Sequence, residues 1–184
     1  MRARLIVVLA VVLAGCGDLP TDTAMVASPT AGAPPSEQDK GWLRTIHEGN
    51  LAEVQAGRLA EGKGTTKRVK AIGRMLVRDH TQLDVQVAGT ATRLGVQLPT
   101  SPSRHQQEEL ERMRSATGSD FDEDFLAAMT KEHTAAIAAT KAEISNGTSP
   151  AVVSLARGAA PKLQQHLTAL RQAHGTALRR SHAE

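Results

Sequence analysis

The chain has 184 residues, 40% of them apolar, yet it holds one Trp, two Phe and no Tyr. A core of Ala, Leu, Val, Ile and Met suits closely packed helices better than a β-sandwich, and without aromatic platforms single-stranded bases have nothing to stack on. The formal charge of +3 falls to +1 once Arg2 and Arg4 are set aside, 20 basic against 19 acidic side chains, so there is no electrostatic case for a nucleic-acid partner.

Residues 1–15 read as a signal peptide: Arg2 and Arg4, then an apolar run from Leu5 to Ala14. The run is too short to span a bilayer, which takes about 20 residues. It ends in Leu13-Ala14-Gly15-Cys16, and Cys16 is the single cysteine of the chain. This resembles the bacterial lipoprotein signal, in which the cysteine is acylated and becomes the mature N-terminus. The alternative is a plain signal peptide with a chance cysteine. One cysteine leaves no internal disulfide and no thiolate metal cluster. Acyl chains on Cys16 would anchor the protein, each buried methylene contributing about 0.8 kcal/mol. Residues 16–37 are rich in Pro, Ala, Thr, Ser and Gly and read as a flexible tether reaching roughly 25 Å. The expected location is a cell-membrane or outer-membrane lipoprotein facing the periplasm or the exterior.

From Gln38 to Glu184 the pattern is helical. Ser36 with Asp39 forms a capping-box-like start for a helix through Trp42, Leu43, Ile46, Leu51, Val54 and Leu59, ending near Gly62-Lys63-Gly64. Thr65 or Thr66 caps a second helix whose stripe is Val69, Ile72, Leu76, Leu83, Val87, Ala91 and Leu94. A Gly- and Pro-containing break, residues 95–102, precedes a short acidic helix that Ser103 and Gln106 start and Gly118 ends. Asp120 with Glu123 starts a third long helix carrying Phe121, Phe125, Met129, His133, Ile137 and Ile144. Asn146-Gly147 stops it. Ser149-Pro150 opens the last, through Val152, Leu155, Ala159, Leu163, His166, Leu167 and Leu170, with a kink expected at Pro161. Four long amphipathic helices, short turns and one longer crossover specify an all-α four-helix bundle.

The stripes carry an anomaly. His80, His133 and His166 each fall on the inward face of a different long helix, and His47 beside Ile46 is a candidate fourth. Facing helices of a bundle can bring nitrogen ligands together around a metal. Glu53 and Asp84 are candidate carboxylate ligands, with Asp79, Glu48 and Glu132 nearby, and Met129, one turn from His133, adds a thioether that would suit copper. The plainer alternative is three core histidines hydrogen-bonded to carboxylates or carbonyls, the Arg157 carbonyl freed by Pro161 being one acceptor for His166. The last helix is wholly cationic, with Arg157, Lys162, Arg171, Arg179, Arg180, His174 and His182. That reads first as a solvated face and second as a surface for anionic lipid head groups.

Several of these pieces together resemble a known family: Glu53-Val54 before Leu59-Ala60, Val69-Lys70 with Met75 and Asp79-His80, Gly95 through Leu98-Pro99, Phe121-Asp122, Met129 with His133, and Leu163 with His166-Leu167. The set is similar to an exported bacterial domain-of-unknown-function family, DUF4142-type, with a ferritin-like four-helix fold, over about Trp42 to Arg171. The resemblance implies a fold and an envelope location, and brings no activity with it. A carboxylate-bridged di-iron centre fits poorly, because no Glu-x-x-His occurs and residues 151–183 contain no Asp or Glu. That argues against a di-iron oxidase or ferroxidase. Covalent haem is excluded by the cysteine count, and haem held by two histidines stays open. Two function classes follow: a non-enzymatic binding or structural module of the envelope with a protein partner there, or a histidine-ligated bundle for one ion of copper, zinc or iron, with redox activity as an option.

Overall fold

The computed structural model describes residues 34–181, with side chains through residue 175. The signal segment, Cys16, the tether to residue 33 and the side chains of Arg179, Arg180 and His182 lie outside the described residues. Five helices follow in order: α1 (Glu37–Lys63), α2 (Lys67–Arg93), the short α3 (Arg104–Ser115), α4 (Gly118–Asn146) and α5 (Pro150–Ser181). Among the described residues there is no strand, and no helix is long and apolar enough to cross a membrane.

Local chemistry sets the helix starts. Ser36 with Asp39 and Ser103 with Gln106 form complete capping boxes, and Thr66 caps α2 by accepting from the Val69 N–H. The start of α4 departs from the expectation at Asp120. It begins at Gly118, whose φ of 60° suits glycine, and Thr117 supplies no side-chain cap. Asp122 reaches out instead, accepting from Thr65 N (2.9 Å) and Thr65 Oγ1 (2.5 Å) to tie down the α1–α2 turn. Pro161 lies inside α5 and does not end it.

The buried stripe of α1 also differs from the expected one. In its second half Asn50, Ala52, Glu53, Ala56, Gly57 and Ala60 are buried, while Leu51, Val54 and Leu59 are half-buried. Close approach is the reason: a Cβ on Gly57 would lie 2.8 Å from the Gly73 carbonyl oxygen. The α1 and α2 backbones therefore meet directly, and large side chains on this face would hold them apart. In α4, likewise, Thr140 and Glu143 are buried where Ile137 and Ile144 are half-buried.

α1 packs against α2 and α4, and α5 against the same two helices. Residues 94–103 and α3 cross from one end of the bundle to the other. Hence Phe121 and Phe125 of α4 pack with Ala60 and Val69, while Val152 and Ala156 of α5 pack with Trp42 and Val87. This is a ferritin-like four-helix bundle with a short extra helix in its crossover. Its core comes in two apolar halves. One contains Ala56, Leu76, Phe125, Met129 and Leu170, the other Trp42, Ile46, Val87 and Val152. A buried polar layer separates them: Asn50 and Glu53 of α1, His80 of α2, His133 of α4 and His166 of α5.

A second polar group closes one end. Asp39 accepts from Thr148 N (3.1 Å), Ser149 N (3.0 Å) and Thr148 Oγ1 (2.9 Å), so α1 ties down the start of α5. Glu143 is buried beside it, one oxygen held by Gln38 Nε2 and the other without a hydrogen-bond partner. Burial, then the Asp39 carboxylate, push the Glu143 carboxyl up to about 7 from its ordinary 4.5. Between those values the folded state holds a proton that the unfolded chain has lost, so this group costs stability as pH rises through the window. Glu143→Gln is expected to remove that slope and to stabilise the protein at pH ~8 by roughly 1–2 kcal/mol. Thermal unfolding from pH ~4 to ~8 checks it; a slope identical to wild type would refute it.

Candidate metal centre

Three imidazoles meet in the polar layer, with ring centroids 5.1–5.3 Å apart. One nitrogen from each of His80, His133 and His166 lies within 4.8 Å of the other two. His133 is 0% exposed, His166 1% and His80 2%. The helices place them by spacing: His133 follows Met129 by one turn, and His166 follows Leu163, so each ring occupies a core position of its own stripe.

The partners of the outer nitrogens fix the tautomers. His133 Nδ1 lies 2.9 Å from the Met129 main-chain oxygen, which can only accept, so Nδ1 carries the proton. His166 Nε2 lies 3.0 Å from Asp79 Oδ2 and donates to it. His80 Nδ1 lies 2.9 Å from Asn50 Oδ1. That amide is oriented in turn by its own donation, Asn50 Nδ2 to Asp84 Oδ1 at 3.3 Å. A neutral ring has one N–H, and those of His133 and His166 are directed away from the cluster. His133 Nε2 and His166 Nδ1 therefore face each other, 3.2 Å apart, with lone pairs on both. Two facing lone pairs repel unless a cation lies near them.

Glu53 completes the layer. Its Oε2 lies 2.6 Å from His80 Nε2 and its Oε1 3.5 Å from His133 Nδ1. The first contact is an ion pair by distance but lacks the alignment of a hydrogen bond, and both atoms are otherwise unpartnered. A buried carboxylate needs positive charge close by. Burial raises the Glu53 carboxyl, and the imidazoles of His133 and His80 outweigh it, holding it down at about 2. The His133 and His166 rings resist protonation. Burial lowers His133, and burial lowers His166 to about 4 despite the Asp79 hydrogen bond. Asp79 is held at about 2, first by Arg78. The interior is thus arranged with bare nitrogens and an anion, which is the ligand set a metal ion requires. Each ring also has the outer hydrogen-bond acceptor that orients metal-bound histidines.

The other expected ligands lie elsewhere. His47 binds Asp84 Oδ1 (2.7 Å) and the Pro99 carbonyl (3.0 Å), so neither His47 nor Asp84 enters the cluster. Both act at one remove, through Asn50. Glu132 accepts from Gln106 Nε2. Met129 packs its side chain in the apolar half-core and contributes its main-chain carbonyl. The freed Arg157 carbonyl is not the partner of His166; Asp79 is. Asn50 escaped the sequence reading, and its signal was available: a polar residue three before Glu53 on a buried stripe.

The family's sequence profile, described as a domain of unknown function, matches residues 24–173. The chain belongs to the DUF4142 family. A search of curated proteins gives no match for this DUF4142 chain. Among solved structures it is similar to a DUF305 fragment from Deinococcus radiodurans, with 16% identity, a TM-score of 0.68, and coverage of 78% of this chain and 99% of that one. It is also similar to CopM in the Cu(I)-bound form, with 15% identity, a TM-score of 0.64, and coverage of 75% and 96%. At such identities the likeness is one of fold, and it agrees with the all-α bundle.

Proposed function

We propose that this DUF4142 chain is an exported, lipid-anchored envelope protein whose bundle holds one divalent transition-metal ion on His80, His133 and His166, with Glu53 as the charge-balancing carboxylate beside them. One observation carries the reading: His133 Nε2 and His166 Nδ1 face each other at 3.2 Å in the buried layer with their protons committed elsewhere. Histidines that merely fill a core have both nitrogens satisfied. A nitrogen-rich, oxygen-completed donor set suits zinc, with Cu(II) competing through its greater intrinsic affinity. Cu(I) favours soft sulfur ligands, whereas the donors gathered here are imidazole nitrogens. CopM, of similar fold, is known with Cu(I); that supports a bundle of this type as a metal host, while the ligands here favour a harder ion. Carboxylates from every helix, which a di-iron centre needs, are missing from α5. The role is to hold or carry the ion at the membrane surface. Cys16 and the tether supply the address, on the sequence reading of the lipoprotein signal.

Protein purified without a histidine tag is expected to bind about one zinc per chain, with little proton release near neutral pH, because His133 and His166 already stand unprotonated there. His80→Ala, His133→Ala and His166→Ala should each cost more than the roughly 10–100-fold typical of outer-shell substitutions. Calorimetric titration beside elemental analysis reads this out. Absence of saturable binding would overturn the proposal and leave the histidines as core hydrogen-bonders.

A further inference from the structure

Where α1 meets α2, the backbones approach closely at Gly57 and Gly73. Between α2 and α5 the seam is open. A cleft of about 170 Å³ runs inward there to His80 and His166, between Asp79 and Leu83 on one wall and Gly158, Ala159 and Lys162 on the other. A second hollow, of about 380 Å³, continues along the same seam and shares Gln86 and Gly158 with the first.

We infer that this cleft is the path by which the metal ion enters and leaves the cluster, and that Asp79 is the carboxylate that takes the ion from solvent and passes it to His166. The inference rests on the metal reading above. Size is the first ground. Six waters of a hydrated ion occupy roughly 180 Å³ at about 30 Å³ each, close to the volume of the cleft, so an entering ion sheds part of its shell there.

The chemistry at the mouth is the second ground. Asp79 is bonded inward to His166 and outward to Arg78 Nε at 2.7 Å, with Lys162 Nζ at 3.9 Å. The Arg78 and Lys162 side chains are 68% and 58% exposed, while that of Asp79 is 8% exposed. Two mobile cations thus cover one fixed anion. An arriving divalent ion replaces them without leaving the carboxylate uncompensated, and surface pairs of this kind cost little to open. His166 needs no release, since Asp79 holds its Nε2 while Nδ1 faces the cluster.

The wall is the third ground. Pro161 has no N–H, so α5 lacks one backbone hydrogen bond where it borders the cleft. Gly158, one turn earlier, adds no side chain to stiffen it. Local opening is drawn from segments of this kind.

Gly158→Leu gives the test, because a Cβ there meets nothing within 4 Å and leucine is a good helix former. The variant covers the cleft without crowding the core. With the metal-free full chain, stopped-flow zinc uptake and chelator-driven release should both slow by roughly tenfold or more, the effect of about 1.4 kcal/mol on the barrier. The equilibrium affinity should be unchanged. Asp79→Asn keeps an oxygen for His166 but drops the charge, and should slow uptake and weaken its dependence on salt. Wild-type rates in both variants, or a loss of affinity without a change of rate in Gly158→Leu, would overturn the path while the metal site stands. Failure of the wild-type chain to take up zinc would overturn the metal reading and the path with it.

Discussion

Zinc at a hundredfold excess over its dissociation constant is expected to stabilise the metal-free protein by about 2.7 kcal/mol, by mass action on the native state alone. For a domain of this size that is a rise of roughly 5–11 °C in the unfolding midpoint. The physical source is the metal-free cluster itself. Burial leaves the Glu53 carboxylate dependent on positive charge from the cluster, and His133 Nε2 stands against His166 Nδ1. A divalent ion relieves both at once. His133→Ala should abolish the response, and the readout is that response, since the baseline falls too when a fully buried ring is removed. A response kept in His133→Ala would mean that zinc binds elsewhere, for example at the exposed His105. The metal-free baseline should itself fall in acid. With its folded pKa depressed to about 4, His166 charges in the unfolded chain first, and stability is lost as pH falls from 6.5 toward that value. Over the same range Glu143 acts in the opposite direction, so the measurement is cleanest in a Glu143→Gln background.

Gly73→Ala should be among the most damaging single-methyl additions in the bundle, at roughly 2–4 kcal/mol. The new Cβ would lie 2.6 Å from the Gly57 carbonyl oxygen and 2.9 Å from the Ala60 Cβ. Neither neighbour is the free end of a flexible side chain, so the helices themselves must separate. The site would feel it. Glu53 lies one turn before Gly57 and His80 two turns after Gly73, so the crossing sets the contact between them. Zinc affinity should fall along with stability. Gly49→Ala supplies the control, because a Cβ there meets nothing within 4 Å. On α1, away from the crossing, it should be neutral or stabilising, by up to about 1 kcal/mol of helix propensity. Chemical denaturation of the two variants distinguishes them; similar behaviour would show that the crossing is not tight.

The helices were legible because their caps and stripes are local. Ser36 with Asp39, Ser103 with Gln106 and the stripe from Val69 to Ala91 stand in the structure as the spacing implies. The histidine trio was legible for the same reason, as each ring interrupts an apolar row. What could not be read locally was anything that depends on which helix faces which. Leu51 and Val54 yield the buried face to Ala52 and Ala56 because Gly57 meets Gly73 across sequence. His47 falls out of the cluster because the crossover returns Pro99 to cover it. Asp84 looked like a ligand at four residues from His80, yet it acts through the Asn50 amide. Met129 looked like a sulfur donor and supplies an oxygen. Ligand type was visible in the sequence; ligand direction needed the fold.

The measurement that bears most directly on the metal centre is X-ray absorption at the zinc edge of the loaded protein. Three imidazole nitrogens and an oxygen at about 2.0–2.2 Å, with outer-shell scattering from three rings, are the expected result. A shell containing sulfur, or one of oxygens with at most a single imidazole, would contradict it.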